Sequence, residues 1–225
     1  MNLLSRISEE DSVTTRIADI QTVKEVPPEL AGLMSVLIRL LDRNGPIIVY
    51  LTAASHNEGT STIARELSAA ASHWDWCNVA LVDASRPATA RGSRIPALGL
   101  LDVTADTDDL PFRRSLCDGA MLMQAALTGP NTSIPTIDTV RSLFDRMRKQ
   151  FTLVIVDGPP VLASQQISAF SAAADCVVLV VEAERTHTAD LERARARLEQ
   201  LGARILGVVL NKRRNWVPGF LQRRT

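Results

Sequence analysis

The chain has 225 residues with 25 basic and 25 acidic side chains, a formal net charge of zero. That length is enough to bury a full core in one large α/β domain, and the neutral balance supplies no global field to hold nucleic acid or an anionic bilayer. Cys77, Cys117 and Cys176 lie far apart without CxxC spacing, which suits buried thiols in a reducing compartment better than a disulfide scaffold.

The opening "MNLLSRISEEDS" has no apolar stretch of the signal-peptide kind, and no run in the chain approaches the roughly 18 apolar residues of a spanning helix. Residues 1–27 are polar and aperiodic and read as a flexible arm. "PPELAGLMSVLIRLLDRNG" reads as a helix begun by Pro28 and stopped near Gly45. The strand "PIIVYLTA" follows, then the small-residue loop "ASHNEGTST" and a helix from Ser61 to His73. A second strand, "NVALVDA", passes through Asp83.

Residues 85–135 hold turn-rich sequence around "LGLLDVTA" and "DGAMLMQAAL" and yield no clear elements. Beyond them come a helix from Asp138 to Lys149, the strand "FTLVIVDG", a helix from Val161 to Ala174, the strand "DCVVLVVEA", a helix from Thr188 to Leu201 and the strand "RILGVVLN". The strands are apolar nearly throughout, as a sheet covered on both faces requires. The alternation predicts a doubly wound, mainly parallel sheet with helices on both faces and ligands beyond the carboxyl ends of the strands. Residues 28–212 form that domain, and 213–225 form a basic, aromatic tail.

Three strand ends carry candidate chemistry. After the first, the backbone N–H groups of Asn57, Glu58 and Gly59 can turn toward an anion at a helix N-terminus, with Thr60 and Thr62 in the same loop and Ser61 placed to hold magnesium through its hydroxyl. The second ends in Asp83. The third, "LVIVDGPP", ends in Asp157, an apolar run closed by a carboxylate, which is how a magnesium-holding strand is built. Either aspartate alone also fits a turn or helix cap; the ordered set of loop, Asp83, Asp157 and the late "GVVLNK" is harder to obtain by chance.

A phosphate loop ordinarily carries a lysine after its last glycine, and here that position is Thr60. Arg86, beside Asp83, is either a substitute cation or a solvated arginine before Pro87. Lys24, Lys149 and Lys212 are the chain's lysines, and none is expected to reach in at the loop. His56, His73 and His187 lack zinc-ligand spacing, and Ser164 and Ser168 show no nucleophile-elbow pattern.

In the order "TAASHNEGTST", "VALVDASRP", "FTLVIVDGPPVL" and "RILGVVLNKRR", residues 28–225 resemble the cytoplasmic ATPase domain of bacterial tyrosine kinases (BY-kinases) that control exopolysaccharide and capsule assembly, within the deviant P-loop NTPase fold. The resemblance implies that Gly59–Thr62 correspond to Walker A, Asp83 to the first aspartate of Walker A′, Asp157 to Walker B, and Asn211 to the residue that contacts the adenine. It implies ATP or ADP with magnesium as cofactor, Asp83 and Asp157 as catalytic residues if the protein is active, and Ser61, Asp83 and Asp157 around the metal.

The departures are Thr60 for the lysine, Asn57 for the second loop glycine, Ser85 for the second Walker A′ aspartate, and Gly32 and Ser35 for the arginines of the family's assembly helix. The tyrosine-rich tail is missing, and Tyr50 is the lone tyrosine. With threonine at the lysine position and the short basic-aromatic tail "RRNWVPGFLQRR", the chain resembles a subgroup that also occurs in polysaccharide clusters. The resemblance therefore implies a degenerate member with weak or absent nucleotide turnover, acting at the inner face of the cell membrane as cytoplasmic regulatory partner of a membrane-embedded polysaccharide co-polymerase. The alternative is an active ATPase or protein tyrosine kinase of the same pathway using a substitute cation. In the tail, Arg213, Arg214, Arg223 and Arg224 flank Trp216, Val217, Phe220 and Leu221, which suits either a docking peptide with peripheral membrane contact or a segment folded back on the domain.

Overall fold

Helix α1, Pro28–Asn44, buries Leu30, Met34, Leu37, Ile38 and Leu41, a spacing of three and four residues that makes one apolar stripe. It ends where Gly45 turns left-handed at φ 72° and donates its N–H to the Leu41 carbonyl at 2.9 Å. The computed structural model describes residues 28–85, 97–99, 110, 112–117, 120–128, 135–164 and 167–212. The expected N-terminal arm and C-terminal tail lie outside the described residues, as does Arg86.

Strand β1, Ile47–Ala53, follows the helix and is buried at all seven positions. The remaining strands are β2 (Val79–Asp83), β3 (Ala97–Gly99), β4 (Arg113–Cys117), β5 (Ala120–Thr128), β6 (Leu153–Asp157), β7 (Cys176–Glu182) and β8 (Ile205–Asn211). They form one sheet in the order β3-β5-β2-β6-β1-β7-β8, parallel throughout, with β4 added antiparallel to β5. This is the doubly wound, mainly parallel sheet with helices on both faces that the strand pattern predicts. Continuous apolar runs place β1 and β6 at the centre, where Ile47 to Leu51 pair with Leu153 to Asp157.

Helices cover both faces. On one, α1 and α2 (Thr60–Ser72) set Leu37, Ile38, Ile63 and Leu67 against Val49, Leu51 and Ile155. On the other, α3 (Ile137–Gln150), α4 (Ile167–Ala173) and α5 (Thr188–Gln200) set Phe144, Phe170 and Leu198 against Ile48, Tyr50 and Val156. Each fully buried aliphatic or aromatic side chain of this kind contributes about 1.5–3 kcal/mol.

Two sequence expectations are corrected. The helix expected from Val161 begins only at Ile167, because the chain leaving Gly158, Pro159 and Pro160 first runs beside the end of β1: the Val161 N–H donates to the Ala53 carbonyl at 2.8 Å and the Leu162 N–H to the Ala54 carbonyl at 3.3 Å. Two prolines in succession hold that segment extended. The stretch 85–135, which yields no clear elements as sequence, contributes β3, β4 and β5, and β5 is the direct parallel neighbour of β2.

Candidate functional site

The loop between β1 and α2 emerges at the carboxyl edge of the sheet. Asn57 at φ 67° and Gly59 at φ 96° both adopt left-handed backbone. Asparagine tolerates that region better than most residues, so Asn57 keeps a turn that glycine makes without cost. At Gly59 even this tolerance ends: a Cβ there would stand 1.9 Å from the Asn211 Nδ2. Gly59 is the N-cap of α2, and its carbonyl accepts from the N–H groups of Thr62 at 3.0 Å and Ile63 at 3.1 Å. The N–H groups of Thr60 and Ser61, first in the helix, have no intrahelical carbonyl to meet.

Glu58 is buried, with 4% of its surface exposed, and its carboxylate fastens the loop from inside. Oε2 accepts from the Ala54 N–H at 3.0 Å and Oε1 from the Thr186 hydroxyl at 2.8 Å. Thr186 Oγ1 in turn accepts from the Glu182 N–H at 3.1 Å, tying the loop to the turn after β7. This bracing is not legible in the sequence, because Thr186 lies 128 residues from Glu58. The only hint was a glutamate within a run of small residues.

On the β2–β6 side, Asp83 and Asp157 stand opposite one another in the parallel register. Asp157 is 5% exposed and its Oδ1 has no hydrogen-bond partner. Burial pushes this carboxyl up to about 6; the Ser61 hydroxyl opposes the rise, the Asp83 charge adds to it, and Ser85 and Arg65 oppose it further. The Asp83 Oδ1 accepts from the Ser85 N–H at 2.9 Å and from its hydroxyl at 2.7 Å, so Ser85 orients the carboxylate without adding a second one. A buried carboxylate with an orphaned oxygen, a second carboxylate in register and the Ser61 hydroxyl form a hard oxygen donor set of the kind that suits magnesium.

Tyr50 lies on the other face of β1 with no exposed surface, its ring stacked on Phe170 at 6.2 Å and its hydroxyl unpartnered. Burial, and after it the Asp157 charge, push its phenol well above the ordinary value. The close packing depends on Gly158, where a Cβ would meet the Tyr50 Cζ and hydroxyl at 2.2 Å.

On the β8 side the structure corrects one expectation. Lys212, which was not expected to reach the loop, places its Nζ 2.8 Å from the Asn57 carbonyl and 3.1 Å from Glu182 Oε2. Beside it, Asn211 donates through Nδ2 to the Glu58 carbonyl at 2.9 Å and accepts at Oδ1 from the Lys212 N–H at 2.8 Å. The loop, Ser61, Asp83, Asp157 and Asn211 are thus gathered at one edge of the sheet. No described helix is long and apolar enough to cross a membrane.

No protein-family model matches the chain. Over 125 residues it is 29% identical to the tyrosine-protein kinase CpsD of Streptococcus pneumoniae serotype 4, an alignment that takes 53% of this chain and 54% of the relative. A second CpsD from Streptococcus pneumoniae is 24% identical over 173 residues, 73% of this chain and 75% of that one. Among solved structures, the kinase domain of the Escherichia coli tyrosine kinase ETK superposes with a TM-score of 0.67 at 23% identity, covering 84% of this chain and 77% of the other. The last likeness concerns the fold alone, and the first alignment spans about half the length of the curated relative it matches. The chain is thus similar in sequence to bacterial tyrosine-protein kinases, and it shares the α/β fold of their kinase domains.

Proposed function

We propose that the chain is a degenerate BY-kinase-like P-loop protein of exopolysaccharide biosynthesis and export. It serves as the cytoplasmic regulatory partner of a membrane-embedded polysaccharide co-polymerase, binds ATP or ADP with magnesium weakly, and turns nucleotide over slowly or not at all. The observation that carries this reading is the pairing of a retained oxygen donor set, Ser61, Asp83 and Asp157, with an uncharged Thr60 where the loop needs a cation.

Each residue has a role on this reading. The N–H groups at the start of α2 receive the phosphates, Ser61 and Asp157 hold the metal, and Asp83, steadied by Ser85, faces it from the neighbouring strand. Magnesium, when bound, neutralises phosphate charge and lowers the cost of burying Asp157 ionised. A lysine on the phosphates makes charge-assisted contacts each worth about 1.5–3 kcal/mol, which Thr60 cannot supply. The retained carboxylate pair favours one second reading, an active ATPase or tyrosine kinase of the same pathway with a substitute cation.

Calorimetric titration with MgADP and MgATP tests the nucleotide part. The expected dissociation constants are tens of micromolar or weaker, about −7 kcal/mol at best. No heat at millimolar nucleotide would remove that part and leave a pseudo-site. Co-sedimentation with membranes carrying the co-polymerase tests the partner: it should occur with the full chain and fail when residues 213–225 are deleted.

A further inference from the structure

Two consecutive carbonyls of the loop are held from the same strand end. The Asn57 carbonyl accepts from the Lys212 ammonium at 2.8 Å, and the Glu58 carbonyl accepts from the Asn211 amide at 2.9 Å. In a planar trans peptide the N–H points opposite to the C=O of the same unit. The unit that contains the Asn57 carbonyl carries the Glu58 N–H, and the one that contains the Glu58 carbonyl carries the Gly59 N–H. Fixing both carbonyls toward β8 therefore turns both N–H groups away from it. A carbonyl bonded to a donor, above all to a cation, also polarises its amide and strengthens the N–H as a donor.

We infer that Asn211 and Lys212 form a carbonyl clamp that aims the Glu58 and Gly59 N–H groups at a bound phosphate group. Lys212 acts through the peptide as the positioning cation of a loop that has none at residue 60. The inference rests on the phosphate-binding reading above. Three further observations support it. Lys212 is itself left-handed at φ 56°, which brings its side chain back over the loop. The missing side chain at Gly59 makes room for the clamp, since a Cβ there would stand 1.9 Å from the Asn211 Nδ2 and 3.8 Å from the Lys212 Cε. The buried Asp157 carboxylate beside Ser61, with its unpartnered Oδ1, marks the same loop as a ligand site by a separate route. Each polar atom of the Asn211 side chain makes one bond within the protein, which ties it to the loop and leaves one amide hydrogen and one lone pair over. Glu182, which shares the Lys212 ammonium at 3.1 Å, keeps the cation at the loop's rim when no phosphate is present.

Inorganic pyrophosphate separates this role from an adenine contact, because it carries the phosphates without a base. The full chain and its Lys212→Met, Lys212→Arg and Asn211→Ala variants are titrated with pyrophosphate and with ADP, each with magnesium, by calorimetry. The Glu58 and Gly59 amide resonances are followed in parallel. Lys212→Met and Asn211→Ala should each weaken both probes on the order of tenfold, Lys212→Arg should restore most of the loss, and the two amide resonances should move with pyrophosphate in the wild type and far less in Lys212→Met. Wild-type binding with pyrophosphate affinity unchanged in both variants, or a loss in Asn211→Ala confined to ADP, overturns the clamp and leaves phosphate binding standing. A wild type that binds neither probe at millimolar concentration overturns the clamp together with the reading beneath it. Urea unfolding of each variant guards against loss of fold; should Asn211→Ala unfold, the Lys212 pair decides, since that side chain is 46% exposed.

Discussion

On the β2–β6 side of the loop two carboxylates stand in register, one of them buried with an orphaned oxygen, while on the β8 side a lysine and an asparagine hold backbone carbonyls. The first side concentrates negative charge and leaves the buried Asp157 Oδ1 without a hydrogen-bond partner. The second distributes positive charge over peptide groups at the rim. The contrast teaches how this loop keeps its shape with no cation at residue 60: its geometry depends on Glu58, Asn57, Gly59 and the β8 end. On the function proposed above, an uncharged residue 60 bears on phosphate affinity and rate and not on folding.

The comparison can be broken first at the carboxylate side. Gly158→Ala drives a Cβ into Tyr50 behind Asp157, and overpacking a full core this way should cost about 2–3 kcal/mol in urea unfolding; a neutral result would show that Tyr50 yields freely. Asp157→Asn comes next, measured with chelator present. Because the folded carboxyl is raised to about 6 from 3.8, the folded state keeps a proton that the unfolded chain releases. Wild-type stability should therefore fall as pH rises from about 4 to about 6 and level off above, a loss on the order of 2–3 kcal/mol. The variant should lack that fall and be the more stable protein at pH 7. Millimolar magnesium should raise the melting temperature of the wild type and not of the variant.

Thr60→Lys sharpens the other side. Returning the charge should tighten MgADP about tenfold or more with little gain in phosphate release, since Ser85 still offers no second carboxylate. The smallest expected effect is none: after incubation with MgATP, intact-mass analysis should find no phosphate on Tyr50, which has no exposed surface.

Strands β1, β2, β6 and β7 are legible because they are buried on both faces and are therefore written as apolar runs, whereas β8 is apolar in sequence yet leaves Val208 and Leu210 exposed. Asp83 and Asp157 could be read from their places at the ends of such runs. β5 escapes this logic: "AMLMQAALT" is made of alanine, methionine, leucine and glutamine, which favour helix when alone, and its pairing with β2 and β4 overrides them. A signal for the β4–β5 pair was present, since Asp118 and Gly119 stand between the partners Cys117 and Ala120, and Asp-Gly is a strong hairpin turn. The bracing of Glu58 by Thr186 and of Asn57 by Lys212 was out of reach, because contacts 128 and 155 residues apart in the chain leave no local pattern.

Steady-state phosphate release by the full chain at saturating MgATP tests the central claim most directly. A loop stripped of one transition-state cation should run on the order of 10²–10³-fold below a competent one, which for kinases turning over at about 1–100 s⁻¹ means a rate between roughly 10⁻³ and 1 s⁻¹. A rate of about 10 s⁻¹ or more, abolished by Asp157→Asn, would contradict the account and establish an active enzyme that draws its cation from elsewhere.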